Sequence, residues 1–247
     1  IGITNCMNFG SPERPEVMGD FAESIRGMSH ACLALGTPVT GGNVSFYNEH
    51  AGASIDPTPV IGMVGIVAEA GPPPLGFRTP GDLVALLGAT KPDLAGSEYL
   101  RITTGRPGRD SGLPALDLDF ESALGRVARG AIGRRLLTSA HDISGGGLAA
   151  ALTEACLDAG VGATVEPEPG LVPHVWLFSE SAGRILVSLP ASGLPALQAL
   201  AAAEGVPVNI LGIAGGGDLK VGEALSLTVE QLRRAHEDTL PTAMNRR

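Results

Sequence analysis

Residues 1–47 read IGITNCMNFGSPERPEVMGDFAESIRGMSHACLALGTPVTGGNVSFY, and the fold class turns on this stretch. Residues 1–10 begin as a short strand and end in a glycine turn. Ser11-Pro12 then reads as a helix cap followed by the first helical residue, with Glu13 and Glu16 favourable in the first turn. Val17, Phe21, Ile25, Met28, Cys32 and Leu35 follow at spacings of four, four, three, four and three, which is one face of a helix. Gly36 stops it, and Pro38–Tyr47 is a strand broken by paired glycines. Strand, helix and strand in that order predict an α/β protein with mixed sheets.

Outward from there the alternation continues. Pro59–Val67 (PVIGMVGIV) is a candidate for a fully buried strand, and GPPPLGF at residues 71–77 is the best linker in the chain. It divides the sequence into two units near residues 71–80. In the second, Leu83–Leu87 is a strand, and Phe120, Leu124, Val127 and Ala131 mark an amphipathic helix. Leu137–His141 is a strand running into Gly145-Gly146-Gly147, and Leu148–Asp158 a helix stopped by Gly160. Val175–Phe178 and Arg184–Leu189 read as strands around a charged turn. A helix near Leu194–Ala203, a strand at Val208–Ile213 and a helix near Val229–Glu237 complete the pattern. Between Ala89 and Gly112 lies a polar, glycine-rich stretch containing ITTGRPGRDSG, which reads as a loop.

Composition sets limits. Hydrophobic residues make up 44% of the 247 and charged ones 17%, enough for a core and unlike a disordered chain. A net charge of −9 gives no electrostatic footprint for nucleic acid, and no apolar run has the length of a membrane span. The three cysteines, Cys6, Cys32 and Cys156, are odd in number and lack metal-like spacing, so they read as buried thiols in a reducing, cytoplasmic setting. Ile1 is not a natural start, which suggests a fragment.

Four clusters have chemistry to offer. Gly41-Gly42-Asn43-Val44-Ser45 combines glycines that let backbone approach a ligand, a neutral amide oxygen suited to magnesium and a hydroxyl suited to phosphate or amide; the bland alternative is a strand bulge. It is not a Walker A loop, since no GKS or GKT follows. Thr4-Asn5-Cys6-Met7-Asn8 places polar side chains in an apolar strand end, where they need partners, unless Asn5 and Asn8 close an Asx turn. His141-Asp142-Ile143-Ser144 before three glycines offers an anion or metal site at a helix start, or merely Asp142 or Ser144 as a cap with a structural His141. Ser179-Glu180-Ser181-Ala182-Gly183-Arg184 is either a polar site or a hairpin, and Arg126, Arg129, Arg134 and Arg135 read as a solvated helix face.

Taken together, TNCMNFGSPERPEVM, ALGTPVTGGNVSFYNE and PTPVIGMVGIV, followed by DLVALLG, GSEYL, HDISGGGLAAALTEA and FSESAGRILVS, resemble the second half of the phosphoribosylformylglycinamidine synthase family. The looser pattern around HDIS is shared with aminoimidazole ribonucleotide synthetase and its relatives. The resemblance implies an aminoimidazole ribonucleotide synthetase-like fold, with residues 1–70 the end of the ATP-binding unit of that half and 76–247 its second α/β unit. It implies an ATP-dependent ligase of purine biosynthesis: ATP activates an amide oxygen of formylglycinamide ribonucleotide, and ammonia from a glutaminase subunit or domain displaces phosphate. By position, Asn5 and Gly42 become ATP contacts, Asn43 a Mg2+ ligand and Ser45 a substrate contact.

Two departures qualify these roles. Some relatives carry Asp where Asn5 stands, and many carry Asp where Gly145 stands, which weakens a metal role for Asp142. The family's catalytic histidine and most magnesium carboxylates belong to its first half, so no catalytic residue is assigned here and the chain alone is expected to be inactive. Alternatives are a non-catalytic nucleotide-binding half of that enzyme and a sister ATP-dependent enzyme. A truncated first unit would also leave Val60–Val67 and the helix over Val17–Leu35 uncovered, and so prone to self-association.

Overall fold

The computed structural model describes residues 1–67, 71–105 and 112–245. Its contacts separate two compact units, Ile1–Glu69 and Ala70–Arg247. In the first unit, β1 (Gly2–Asn8) is joined through α1 (Pro15–Leu35) to β2 (Val39–Ser45), which lies parallel beside it. β3 (Glu49–His50) and β4 (Ala53–Ser54) form a short hairpin, and β5 (Thr58–Val64) runs antiparallel along the other side of β1. The sheet order is therefore β2-β1-β5.

Several local readings change. Helix α1 starts at Pro15 with Arg14 as its cap residue, not at Ser11-Pro12. Arg14 precedes a proline, whose ring pushes it out of the helical region, and it sits at φ −84°, ψ 120°. Pro12 therefore stays in a turn closed by the Arg14 N–H on the Ser11 carbonyl, 3.2 Å. Gly36, at φ 64°, ends the helix as expected. Paired glycines do not break β2; instead its register with β1 shifts between Ile3 and Thr4, where Val39 and Gly41 are the successive partners.

Strand β5 is not buried but exposed along its length. Met7, Phe9 and Val17 form the unit's buried cluster and Ile3 is buried beside them on the sheet, with Phe21 edge-on to Phe9 and Phe46 at 5.2 and 5.0 Å. The apolar stripe of α1 is real, yet Ile25 and Leu35 are exposed, as are Val60, Ile61, Met63, Val64, Ile66 and Val67. These side chains have the pattern of a core and lack its cover within the described residues.

The second unit is built on seven strands: β6 (Leu83–Leu87), β7 (Ser139–Asp142), β8 (Ala163–Val165), β9 (Ile185–Leu189), β10 (Val208–Ala214), β11 (Asp218–Val221) and β12 (Leu225–Thr228). Their order is β12-β11-β8-β10-β6-β9-β7, mostly antiparallel with β11 and β8 parallel. Helices α3 (Leu118–Gly133) and α6 (Leu194–Ala203) supply one apolar cluster, while α4 (Gly147–Ala159), α5 (Pro173–Phe178) and α7 (Val229–Glu237) supply the other. Strand β6 is shared between them: Val84 and Leu86 belong to one cluster, Ala85 and Leu87 to the other. A strand covered on both faces must be continuously apolar, which explains LVALL.

Val175–Phe178 is helical rather than a strand. Pro173 occupies the first turn of α5, where its fixed φ favours a helix, and Trp176 and Leu177 turn into the core. Within the stretch read as a loop, Glu98–Thr104 forms α2, capped by the Ser97 hydroxyl accepting the Leu100 N–H at 3.3 Å; residues 106–111 lie outside the described residues. Helix α8 (Thr239–Asn245) follows α7.

Cys156 is fully buried in α4, and burial pushes its thiol up to about 12. Cys6 and Cys32 are half-exposed rather than buried as their sequence suggests, since the unit's sheet and α1 are only partly covered. Alkylation of the native protein at pH 8, followed by peptide mass mapping, is expected to label Cys6 and Cys32 and to spare Cys156 until denaturant is added. Early labelling of Cys156 would contradict this packing.

Candidate functional site

Register decides which of the expected site residues can act together. Across β1 and β2, Asn5 stands opposite Gly42, Cys6 opposite Asn43, and Asn8 opposite Ser45. Across β5, the partners of Asn5, Cys6 and Asn8 are Ile61, Val60 and Thr58. Directly opposed residues share a face, and successive residues alternate. Asn5 and Gly42 therefore lie on the face of Met7, against which α1 packs. Asn43 and Ser45 lie on the other face with Thr4, Cys6, Asn8 and Thr58. The four candidates form two pairs on opposite sides of β2, an edge strand of its sheet.

On the first side, the space above Gly42 is filled. A Cβ there would stand 2.4 Å from Asn5 Oδ1 and 2.8 Å from the Asn5 carbonyl, so only glycine lets the Asn5 amide lie across β2. Gly41 is the more open of the pair, with nothing within 4 Å of the Cβ it lacks. On the second side, Asn43 is exposed. Neither Asn5 nor Asn43 has a side-chain hydrogen-bond partner among the described residues, so both amides are free to meet a ligand.

Ser45 is held differently. Its hydroxyl donates to Asn48 Oδ1 at 3.2 Å or accepts from Asn48 Nδ2 at 3.1 Å. Asn8 is in β1 rather than in an Asx turn with Asn5, and its Nδ2 donates to the Cys6 and Thr58 carbonyls, both at 3.2 Å. This face is neutral and polar. No group of three or more His, Cys, Asp or Glu side chains fit to hold a metal occurs among the described residues. Asn43 accordingly fits magnesium as a single neutral oxygen ligand, the remainder coming from phosphate oxygens, water or groups elsewhere. Between α1 and the sheet lies a cavity of about 320 Å³, lined by Ile3, Met7, Met28, Cys32, Ile61 and Met63; its walls are too apolar for a phosphate.

In the second unit, neither Asp142 nor Ser144 caps α4 with its side chain. The cap residue is Gly146, whose N–H is taken by Glu180 Oε1 at 2.9 Å. The same oxygen accepts the Glu98 N–H at the start of α2, also at 2.9 Å. Composition offered no sign of this bridge, which joins residues far apart in sequence. His141 is buried, with Nδ1 on the Asp142 carbonyl at 2.7 Å and Nε2 facing Glu154 at 3.1 Å, a structural arrangement. The Asp142 side chain is exposed.

Ser179–Arg184 is a buried hub rather than a simple hairpin. Ser179 and Ser181 hydroxyls bond each other at 2.8 Å and both reach the Lys91 carbonyl. Arg184 donates to the Ser179 and Ser181 carbonyls at 2.7 and 3.0 Å and to Thr90 Oγ1 at 3.2 Å. Burial pulls its guanidinium down to about 10, against the opposing pull of the Asp93 and Glu180 carboxylates. Arg126, Arg129, Arg134 and Arg135 are all exposed, but only the first two lie on α3; Arg134 caps its end, Arg135 follows it, and Arg126 pairs with Glu204 at 2.9 Å.

Residues 1–67 match the AIR synthase related protein N-terminal domain, and residues 79–223 match its C-terminal domain. The chain belongs to the AIR synthase related protein family and has its mixed α/β fold. Within that family it is similar to the phosphoribosylformylglycinamidine synthase subunit PurL of Parafrankia sp. (strain EAN1pec), with 46% identity over 250 residues, 100% of this chain and 32% of that protein. The same subunit of Thermobifida fusca (strain YX) is 47% identical over 98% of this chain and 32% of its own length. The chain thus spans about a third of these curated relatives. Among solved structures, Thermotoga maritima PurL complexed with FGAR superposes with a TM-score of 0.71 at 17% identity, over 94% of this chain and 39% of that one. The complex of the same protein with ATP gives 0.67 at 15%, over 94% and 37%. At such identities the superpositions establish the fold alone.

Proposed function

We propose that this chain is the later part of the second half of a phosphoribosylformylglycinamidine synthase, a cytoplasmic ligase of purine biosynthesis. The observation that carries the proposal is the 46% identity to a PurL subunit over the whole of this chain. In this reading residues 1–70 end the nucleotide-binding unit of that half and residues 76–247 form its second unit. ATP activates an amide oxygen of formylglycinamide ribonucleotide for displacement by ammonia, which a glutaminase subunit or domain supplies. Thermotoga maritima PurL has been solved in complex with ATP and with FGAR, and PurLQS of the same organism has been solved too, which supports such ligands and a multi-subunit setting.

The chain's share of the work is binding and orientation. Asn5, lying over Gly42, meets the nucleotide from the α1 side of β2. Asn43 presents its amide oxygen from the other side, where magnesium when bound would neutralise phosphate charge. Because β2 is an edge strand, phosphates passing along it reach both pairs of residues and its backbone N–H groups as well. Ser45 bonds the substrate on the Asn43 side. The groups that move protons come from the first half of the enzyme.

A second reading is a half that binds nucleotide without turning it over. It draws on the wholly neutral character of the face around Asn43, Ser45, Cys6 and Asn8. In either reading the exposed Val60, Ile61, Val64 and Ile66 need cover, so the isolated chain self-associates. Phosphate release from ATP by this chain, with substrate and ammonium present, tests the composite site: none is expected.

A further inference from the structure

We infer that Asn48 is a positioning residue that sets the Ser45 hydroxyl for its ligand, an inference that rests on reading Ser45 as a substrate contact. The geometry begins where β1 and β2 end side by side. The Phe9 N–H reaches the Ser45 carbonyl at 3.0 Å, and the Tyr47 N–H returns to the Gly10 carbonyl at 3.0 Å. Tyr47 holds φ 59°, a left-handed conformation that costs a non-glycine residue free energy. That turn brings Asn48 back over the strand ends.

Once there, Asn48 satisfies several groups at once. Its Nδ2 donates to the Phe9 carbonyl at 3.0 Å and the Ser45 carbonyl at 2.8 Å, and its backbone N–H also reaches Phe9 O at 3.1 Å. The Ile55 N–H bonds its carbonyl at 3.2 Å. With the amide plane pinned by two backbone carbonyls, Oδ1 and Nδ2 both lie within 3.2 Å of Ser45 Oγ. Since the two carbonyls take both Nδ2 hydrogens, the Ser45 hydroxyl donates to Oδ1, which orients it and leaves its lone pairs to accept from a ligand. Asparagine is the residue type that supplies donors and an acceptor at this reach: aspartate lacks the donors, and glutamine is a methylene longer.

The test is a double-mutant cycle in the full-length enzyme with ammonium as nitrogen source, reading KM for formylglycinamide ribonucleotide and for ATP separately. Ser45→Ala and Asn48→Ala are each expected to raise the substrate KM about 10-fold, the loss of one well-placed hydrogen bond. The double variant is expected to be no worse than either single one, with KM for ATP within about twofold throughout. Should Asn48→Ala fail to fold, Asn48→Asp keeps the size, but its carboxylate is repelled by the same two carbonyls, and the substrate KM rises likewise. An unchanged substrate KM in the Asn48 variant beside a raised one in Ser45→Ala overturns this inference alone. Multiplying effects, or an equal rise in KM for ATP, also overturn it in favour of a general structural role. An unchanged KM in Ser45→Ala removes the substrate reading of Ser45 itself.

Discussion

Asn43→Ala in the full-length enzyme is expected to lower the turnover number about 100-fold, close to 2.7 kcal/mol of transition-state stabilisation. Asn43 stands on the open face of a three-stranded sheet, its amide without a partner among the described residues. Removing it therefore breaks nothing within the fold. Under the proposed function, what would be lost is one oxygen ligand to magnesium, and with it the neutralisation of phosphate charge that the ion would supply. The melting temperature in the absence of nucleotide should stay within about 1 °C of the parent, as surface substitutions away from packed groups usually do. If this half only stores a nucleotide, the outcome reverses: turnover is nearly kept, and nucleotide-dependent stabilisation disappears.

Arg184→Ala is expected to destabilise the second unit by about 3 kcal/mol, the lower end of the cost of leaving buried partners of a charged group unsatisfied. Three bonds disappear at once, leaving the Ser179 and Ser181 carbonyls and the Thr90 hydroxyl without this donor. Trp176, the single tryptophan, is buried in α5 immediately before Ser179, so its fluorescence reports this unit alone. For a unit of this size the midpoint should fall by roughly 6–12 °C. Arg184→Lys restores less than half of that, because an ammonium cannot fork toward two carbonyls as a guanidinium does. A midpoint within 2 °C of the parent for Arg184→Ala would show that the hub is dispensable.

Much of the fold was legible because periodicity reports burial. The stripe from Val17 to Leu35 found α1, and LVALL found an interior strand of the larger sheet. Where the reading failed, a local signal was ambiguous. Pro12 and Pro15 both suit a first helical turn, and only the restraint of Pro15 on Arg14 selects the later start. Four apolar residues after Pro173 fit a strand or a helix equally until Trp176 and Leu177 find the core. Strand β5 reads as buried because its sequence is that of a core strand, and its cover is not among the described residues.

The candidate site was legible as residue types and not as an arrangement. Asn5, Gly42, Asn43 and Ser45 stand out as polar or glycine positions in apolar strands. The split of Gly42 from Asn43 and Ser45 follows from strand alternation, but the pairing of Asn5 with Gly42 depends on the register shift near Gly41, which no residue pattern announces. Asn48 was overlooked because its partners, Phe9 and Ser45, are set by a left-handed Tyr47. Glu180 stands out within a polar cluster, but its bridging role does not, because the two N–H groups it accepts, on Glu98 and Gly146, become neighbours only after folding.

The central claim is that this chain supplies one wall of a synthase site completed by the other half of the enzyme. Phosphate release from ATP tests it most directly, with formylglycinamide ribonucleotide and ammonium present, measured for the full-length enzyme and for residues 1–247 alone. Substrate-dependent release by the full-length enzyme and none by the isolated chain is the predicted result. Steady substrate-dependent turnover by the isolated chain would contradict it.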